Sequence, residues 1–243
     1  VVPMLPEQLS NDLCSLRPQE DRPVLAVHIW IDAQGRKRRH RFARAMIRSA
    51  ARLTYEAVQN AIDGRRDPLP GGLPPQALEP LYAAFRALDA AREARGTIDL
   101  DIEERQVIFG DDGRIAGIVP RARYDSHRLI EEFMIAANEA VTEIMEEHKQ
   151  AFIFRVHEPP EPEAAQRFLD TARALHLKVN ENWLKEDITP QTYQKILRAI
   201  EESPAARVLN FLLLRSRKQA FYSHENLYHY GLASTDYTHF TSP

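Results

Sequence analysis

A single cysteine, Cys14, stands in 243 residues. That excludes an internal disulfide framework and any zinc site built from several cysteines, and it makes a cytoplasmic protein the natural expectation. Glycine is scarce at 9 residues, and none of it forms a phosphate-cradling loop or a G-x-G-x-x-G fingerprint. A dinucleotide cofactor is therefore not expected. A serine elbow of the G-x-S-x-G kind is missing too. His224-Glu225 with His229 comes near the helical zinc motif, but the second histidine falls at the fifth position, so the two rings lie on different helix faces. No apolar run is long enough to cross a bilayer, and the first residues do not read as a signal peptide. The net charge of -3 argues against coating nucleic acid by bulk charge, while a local basic groove stays open.

What is present reads as a folded globular chain, 44% hydrophobic and 28% charged. Residues 1–23 are proline-punctuated and irregular. Val24–Ile31 predicts a strand, Ala33-Gln34-Gly35 a turn, and Arg36–Ile47 a returning strand. Thr54 can cap a short helix to about Asp63, with Gly64 as its stop. Gly64–Pro75 is the clearest loop, and Gln76–Arg95 the next helix, with Leu78, Leu81, Tyr82, Phe85 and Leu88 on one side. Residues 97–119 alternate with period two and carry an Asp-Gly hairpin turn. Ala151–His157 predicts a buried strand. Three helices follow: Glu163–Leu175, one capped by Thr189 with Pro190, and one begun by Ser203 and Pro204. No repeat and no firm domain boundary is visible. The alternation implies a mixed α/β (α+β) class, with helices packed on a mostly antiparallel or mixed sheet.

The longest helical pattern, Arg123–Gln150, contains no Gly or Pro. Ile130, Phe133, Ala137, Val141 and Ile144 give it a wide apolar face, and Asp125 or Ser126 can cap its start. Its first half is apolar almost all round. Glu131 falls beside Met134, Ile135 and Asn138, where a carboxylate must be paired, for instance with Arg128, or turned toward a site. Between Arg36 and Arg52 stand eight Lys/Arg residues and no acid. Such a run is either a solvated face or a stripe that follows a phosphate backbone. Tyr55 shares a face with Val58 and Ile62, which by pattern alone makes it a core tyrosine. Asp99 and Asp101 could bind a hard cation, but more simply form the polar side of an alternating strand. The tail Tyr228–Pro243 interleaves aromatics and histidines with small hydroxyl residues. That composition suits half-buried structure or a lining that stacks bases.

Five stretches in order carry a resemblance: P-M-L-P-E-Q-L-S-N-D-L-C-S-L (3–16), A-R-L-T-Y-E-A-V (51–58), R-L-I-E-E-F-M-I-A-A-N (128–138), L-L-R-S-R-K-Q-A (213–220), and H-Y-G-L-A with Y-T-H-F-T-S-P (229–243). Together they resemble the ribonuclease II / ribonuclease R family of exoribonucleases, in its central RNB catalytic domain, and the last two blocks look more like the ribonuclease R branch. Tyr230 stands where the family more often has phenylalanine, and 64–95 and 159–200 match only in outline.

The resemblance implies processive, hydrolytic 3′-to-5′ degradation of single-stranded RNA to nucleoside monophosphates, with magnesium activating water and steadying charge on the scissile phosphate. It also implies that residues 1–243 are a partial catalytic domain, truncated at both ends. The family's metal-binding aspartate cluster lies upstream of Val1 and its arginine block follows T-S-P. No catalytic or metal residue is then expected within the chain, and the chain alone is expected to be inactive. By the same resemblance Tyr55 and Glu131 sit by the RNA sugar and help select ribose; Arg52 of the basic run and His229 and His239 of the tail are further expected RNA contacts. A carboxylate accepts from a 2′-hydroxyl, which DNA lacks. The alternative is a catalytically inert RNA-binding or regulatory homologue of the same fold. The resemblance is silent on oligomeric state.

Overall fold

The structure, a computed structural model, describes residues 5–64, 69–98, 105–177, 189–201 and 203–241. They fall into two compact units: residues 1–89, 123–137 and 243, and residues 90–122 with 138–242. The division escapes the sequence because it falls inside helices rather than at a polar linker.

In the first unit, strands β1 (Asp21–Ile31) and β2 (Lys37–Arg48) pair antiparallel, with Asp21 opposite Arg48 and Trp30 opposite Arg39. β1 begins three residues before the expected Val24 and takes in Pro23. A two-stranded ladder leaves each strand an unpaired edge, so a missing N–H is tolerated. Asp32 organises the turn: its Oδ1 accepts from the Gln34 and Arg36 amides, and Gly35 supplies φ 72°. Helix α1 (Tyr55–Ile62) starts where expected, with Thr54 accepting from the Ala57 amide at 3.2 Å. Helix α2 (Glu79–Arg95) is preceded by a tight turn, Pro75–Leu78. Leu69, Leu78, Tyr82, Phe85 and Leu129 form the core, with Val58, Ile62 and Phe133 against it. Leu81, expected on the buried side of α2, is 43% exposed.

Helix α3 (Asp125–Glu147) is the long helix, and its buried face differs from the most apolar one. Ser126, Leu129, Glu132, Ile135, Asn138 and Thr142 are buried, whereas Ile130 is 40% exposed. Ser126 and Asn138 are tied to other segments and Thr142 Oγ1 donates to the Asn138 carbonyl one turn back, which offsets their desolvation. The expected caps are used otherwise. Ser126 Oγ donates to the Tyr55 carbonyl at 2.8 Å, Asp125 pairs with Arg128, and the Tyr124 amide donates to His127 Nδ1. That last contact is the return arm of a capping box, made by a histidine.

In the second unit, β3 (Arg105–Phe109) and β4 (Ile115–Pro120) form the expected hairpin, with Gly113 at φ 72° in its turn. Asp99 and Asp101 lie outside the described residues. The expected strand 151–157 shrinks to β5 (Phe154–Val156), paired antiparallel with β6 (Phe221–Ser223). Helices α4 (Pro162–Ala174), α5 (Pro190–Glu201) and α6 (Ala206–Ser216) follow. Thr189 caps α5 by accepting from the Thr192 amide. Ser203 accepts from the Ala205 amide in a turn, so α6 starts later than the Ser-Pro signal implied. Phe168, Leu169, Tyr193, Ile196, Ile200, Leu209 and Leu213 build this core. Asn138, fully buried, fastens the tail: its amide donates to Tyr237 Oη and the Thr241 carbonyl, and its oxygen accepts from the Phe240 and Thr241 amides. The class is mixed α/β, with antiparallel pairs as the sheet component among the described residues.

Candidate nucleic-acid interface

Tyr55 occupies the first position of α1, where the Thr54 cap fixes the backbone. Ser126 ties this turn to the start of α3, donating through Oγ to the Tyr55 carbonyl and through its amide to Gln59 Oε1. The Tyr55 ring then stacks on His127 at 4.1 Å and 23°, and His127 lies 5.5 Å from Tyr124 at 18°. Three rings form a near-parallel column. Its outer member, Tyr55, is 44% exposed, so the core reading of this tyrosine does not hold. One helical turn beyond His127 stands Glu131. His127, which carries the Tyr55 ring and stands four residues before Glu131 on the same helix, is a residue that helix periodicity gave no reason to single out.

Glu131 is less buried than its neighbours on the wheel implied. Its side chain is 29% exposed and lies 3.4 Å from Arg123 Nη2, while the fully enclosed carboxylate is Glu132, at 3% exposure. The wheel erred because the helix buries the face through Leu129, Glu132 and Ile135. Arg128 is not the partner of Glu131. It pairs with Asp89 at 2.6 Å and with Asp125, its guanidinium 5.4 Å from the Phe85 ring.

The basic stretch is partly neutralised. Asp32 holds Arg36 and Arg38, Asp21 holds Arg48, and Arg39 lies over the Trp30 ring at 4.0 Å. Arg44 and Arg52 are exposed and make no ion pair among the described residues. With Arg41, also exposed and without an ion pair among the described residues, they are cations of this run open to an external anion.

In the second unit the tail aromatics form a ladder. His157 packs on His229 at 5.4 Å, His229 on Tyr237 at 5.1 Å, Tyr237 on His239 at 5.7 Å, and His239 on Tyr222 at 5.8 Å. His157 Nδ1 accepts from the Gly231 amide at 2.8 Å, so Nε2 carries the proton and donates to the Lys218 carbonyl. A Cβ at Gly231 would meet Arg217 Nη2 at 2.6 Å and His157 Nδ1 at 2.9 Å, so a larger residue here requires these side chains to shift. His229 Nδ1 accepts from the Leu232 amide and closes the turn Tyr230–Leu232. Burial, then the neighbouring His157, pulls the His229 pKa down to about 3, and burial also lowers those of His157 and His239. Three ring nitrogens of the ladder, both of His157 and Nδ1 of His229, are thus taken up by backbone, whereas His239 is hydrogen-bonded only to Tyr222 Oη, at 3.1 Å, among the described residues. Among those residues no three His, Cys, Asp or Glu side chains converge as metal ligands. No described helix is long and apolar enough to cross a membrane.

The RNB domain family matches residues 1–243. Ribonuclease R of Escherichia coli (strain K12) is 40% identical over 244 residues, covering 100% of this chain and 30% of that protein. Ribonuclease R of Aquifex aeolicus is 39% identical over 243 residues, covering 99% of this chain and 34% of that protein. Among solved structures, Mycoplasma genitalium RNase R in complex with ribose methylated single-stranded RNA has a TM-score of 0.89 at 32% identity, covering 100% of this chain and 37% of that one. The chain spans about a third of the length of these curated relatives. On sequence and fold together, the chain belongs to the RNB domain family.

Proposed function

We propose that this chain is a segment of a longer exoribonuclease of the ribonuclease R type, which degrades single-stranded RNA processively from its 3′ end to nucleoside monophosphates. The observation that carries the reading is the exposed Tyr55 ring, stacked on His127 one turn from Glu131, within a chain of this family. Ribonuclease R relatives, one of them solved with single-stranded RNA, support it. In this reading the chain binds and selects the strand. Glu131 accepts a hydrogen bond from a 2′-hydroxyl, Tyr55 lies against the sugar, and Arg52 meets a phosphate. His229 and His239, in the second unit, are further RNA contacts in this reading. In the same reading, which here follows the family resemblance, the magnesium ligands stand in an aspartate cluster outside residues 1–243. A cytoplasmic location belongs to the same proposal.

The test is metal-dependent release of mononucleotides from the 3′ end of a single-stranded RNA. The full-length protein should release them with magnesium, and the 243 residues alone should not. Release by the purified segment overturns the division of labour. A full-length protein that binds RNA without cleaving it is the inert homologue instead.

A further inference from the structure

β5 and β6 meet with Phe154 opposite Ser223, Arg155 opposite Tyr222 and Val156 opposite Phe221. Side chains alternate faces along a strand. Phe154 and Val156, 8% and 1% exposed, turn inward, so Arg155 and Tyr222 share the other face. There the Arg155 guanidinium carbon lies 4.6 Å from the centroid of the Tyr222 ring. His239 closes a third side, its ring edge-on to Tyr222 and its Nδ1 3.1 Å from the tyrosine hydroxyl. The ring is therefore held by a cation, a hydrogen bond and a strand, and still leaves 59% of its residue exposed. An arginine that serves structure alone is normally matched by a carboxylate. Arg155 makes no ion pair among the described residues, and the charged or titratable groups it acts on are histidines. A fixed, largely exposed aromatic ring beside a guanidinium that no carboxylate neutralises among the described residues is the pairing that takes one base and one phosphate of a flexible strand.

We infer that Arg155, Tyr222 and His239 form a stacking platform for one nucleotide of single-stranded RNA, the base on the exposed Tyr222 ring and its phosphate on Arg155. The platform rests on the RNA-degrading reading above and adds to it a contact independent of the Tyr55–Glu131 sugar grip. Stacking on tyrosine is tolerant of base identity, so the platform grips any sequence, as processive movement along a strand requires. His239 acts as a positioning residue that holds the ring through its hydroxyl.

The test is binding of a fluorescein-labelled 12-nucleotide RNA to the full-length protein in EDTA, which separates binding from cleavage. Tyr222→Ala should weaken binding on the order of tenfold, while Tyr222→Phe, which keeps the ring, stays within about twofold. Arg155→Ala should lower the slope of log K against log salt by about 0.7, one phosphate contact. Tyr222→Leu guards against a folding defect in the alanine variant. Photocross-linking of 4-thiouridine RNA to the unaltered protein should map to Tyr222. Normal affinity and slope in the folded variants, or a cross-link map that omits Tyr222, overturns the platform and leaves the RNA reading intact. A full-length protein that does not bind the oligonucleotide overturns both.

Discussion

Glu131 and Glu132 are adjacent in sequence and placed in different surroundings by α3. Glu132 is enclosed at 3% exposure, whereas the Glu131 side chain keeps 29% and a long contact to Arg123. A carboxylate that still meets water can accept a hydrogen bond from a ligand hydroxyl. A hydrogen bond to a charged acceptor contributes about 1.5–3 kcal/mol, and partial exposure places Glu131 at the lower end. Glu131→Ala in the full-length protein should therefore reduce kcat/KM on RNA about tenfold relative to a matched DNA oligonucleotide. Tyr55→Phe should do less, since it keeps the ring that stacks on His127. Glu132→Ala should instead lower the melting temperature. An unchanged RNA-to-DNA ratio in a folded Glu131→Ala protein makes Glu131 a structural carboxylate.

At the scale of elements, the turn Tyr230–Leu232 and strand β5 are joined by histidines that the fold keeps neutral. His157 Nδ1 accepts from the Gly231 amide and His229 Nδ1 from the Leu232 amide, so protonating either replaces an acceptor by a donor facing a donor. Both pKa values lie below the ordinary 6.5, chiefly through burial, that of His229 at about 3. The sign follows: below about pH 6.5 the unfolded chain binds protons that the folded chain refuses. Stability is fully present above that pH and falls as the medium is acidified toward the folded pKa, at no more than about 1.4 kcal/mol per pH unit for each histidine. Urea unfolding between pH 7.5 and 5 should show this decline, and His157→Gln should flatten it. A curve level across that range contradicts the assignment.

For the whole molecule, a net charge of -3 conceals an uneven distribution. Arg36, Arg38 and Arg48 are matched by Asp32 and Asp21, so they add little attraction for an anion. Arg44 and Arg52 carry no such partner among the described residues. If the stretch follows RNA, replacing Arg44 and Arg52 with Ala should each lower the log–log salt slope of binding by about 0.7, and Arg48→Ala should lower it less. Equal slopes for all three variants return the run to a solvated face.

The sequence by itself determined the elements whose signals are local. Thr54, Thr189 and the Asp-Gly turn read correctly because caps and turns are satisfied by neighbours within a few residues. Five ordered blocks also carried the family, since a spacing of side chains survives where no fold is visible. Tertiary structure alone decided which face of α3 is buried, and it chose Ser126, Glu132, Asn138 and Thr142 over Ile130. Helical periodicity ranks faces by apolar content, but polar atoms can be enclosed once distant segments supply partners, as residues 237–241 do for Asn138. The same reason hid His127 and the Arg155–Tyr222 pair. Each becomes a contact only when segments far apart in the chain, 55 with 127 or 155 with 222, are brought within a few ångströms.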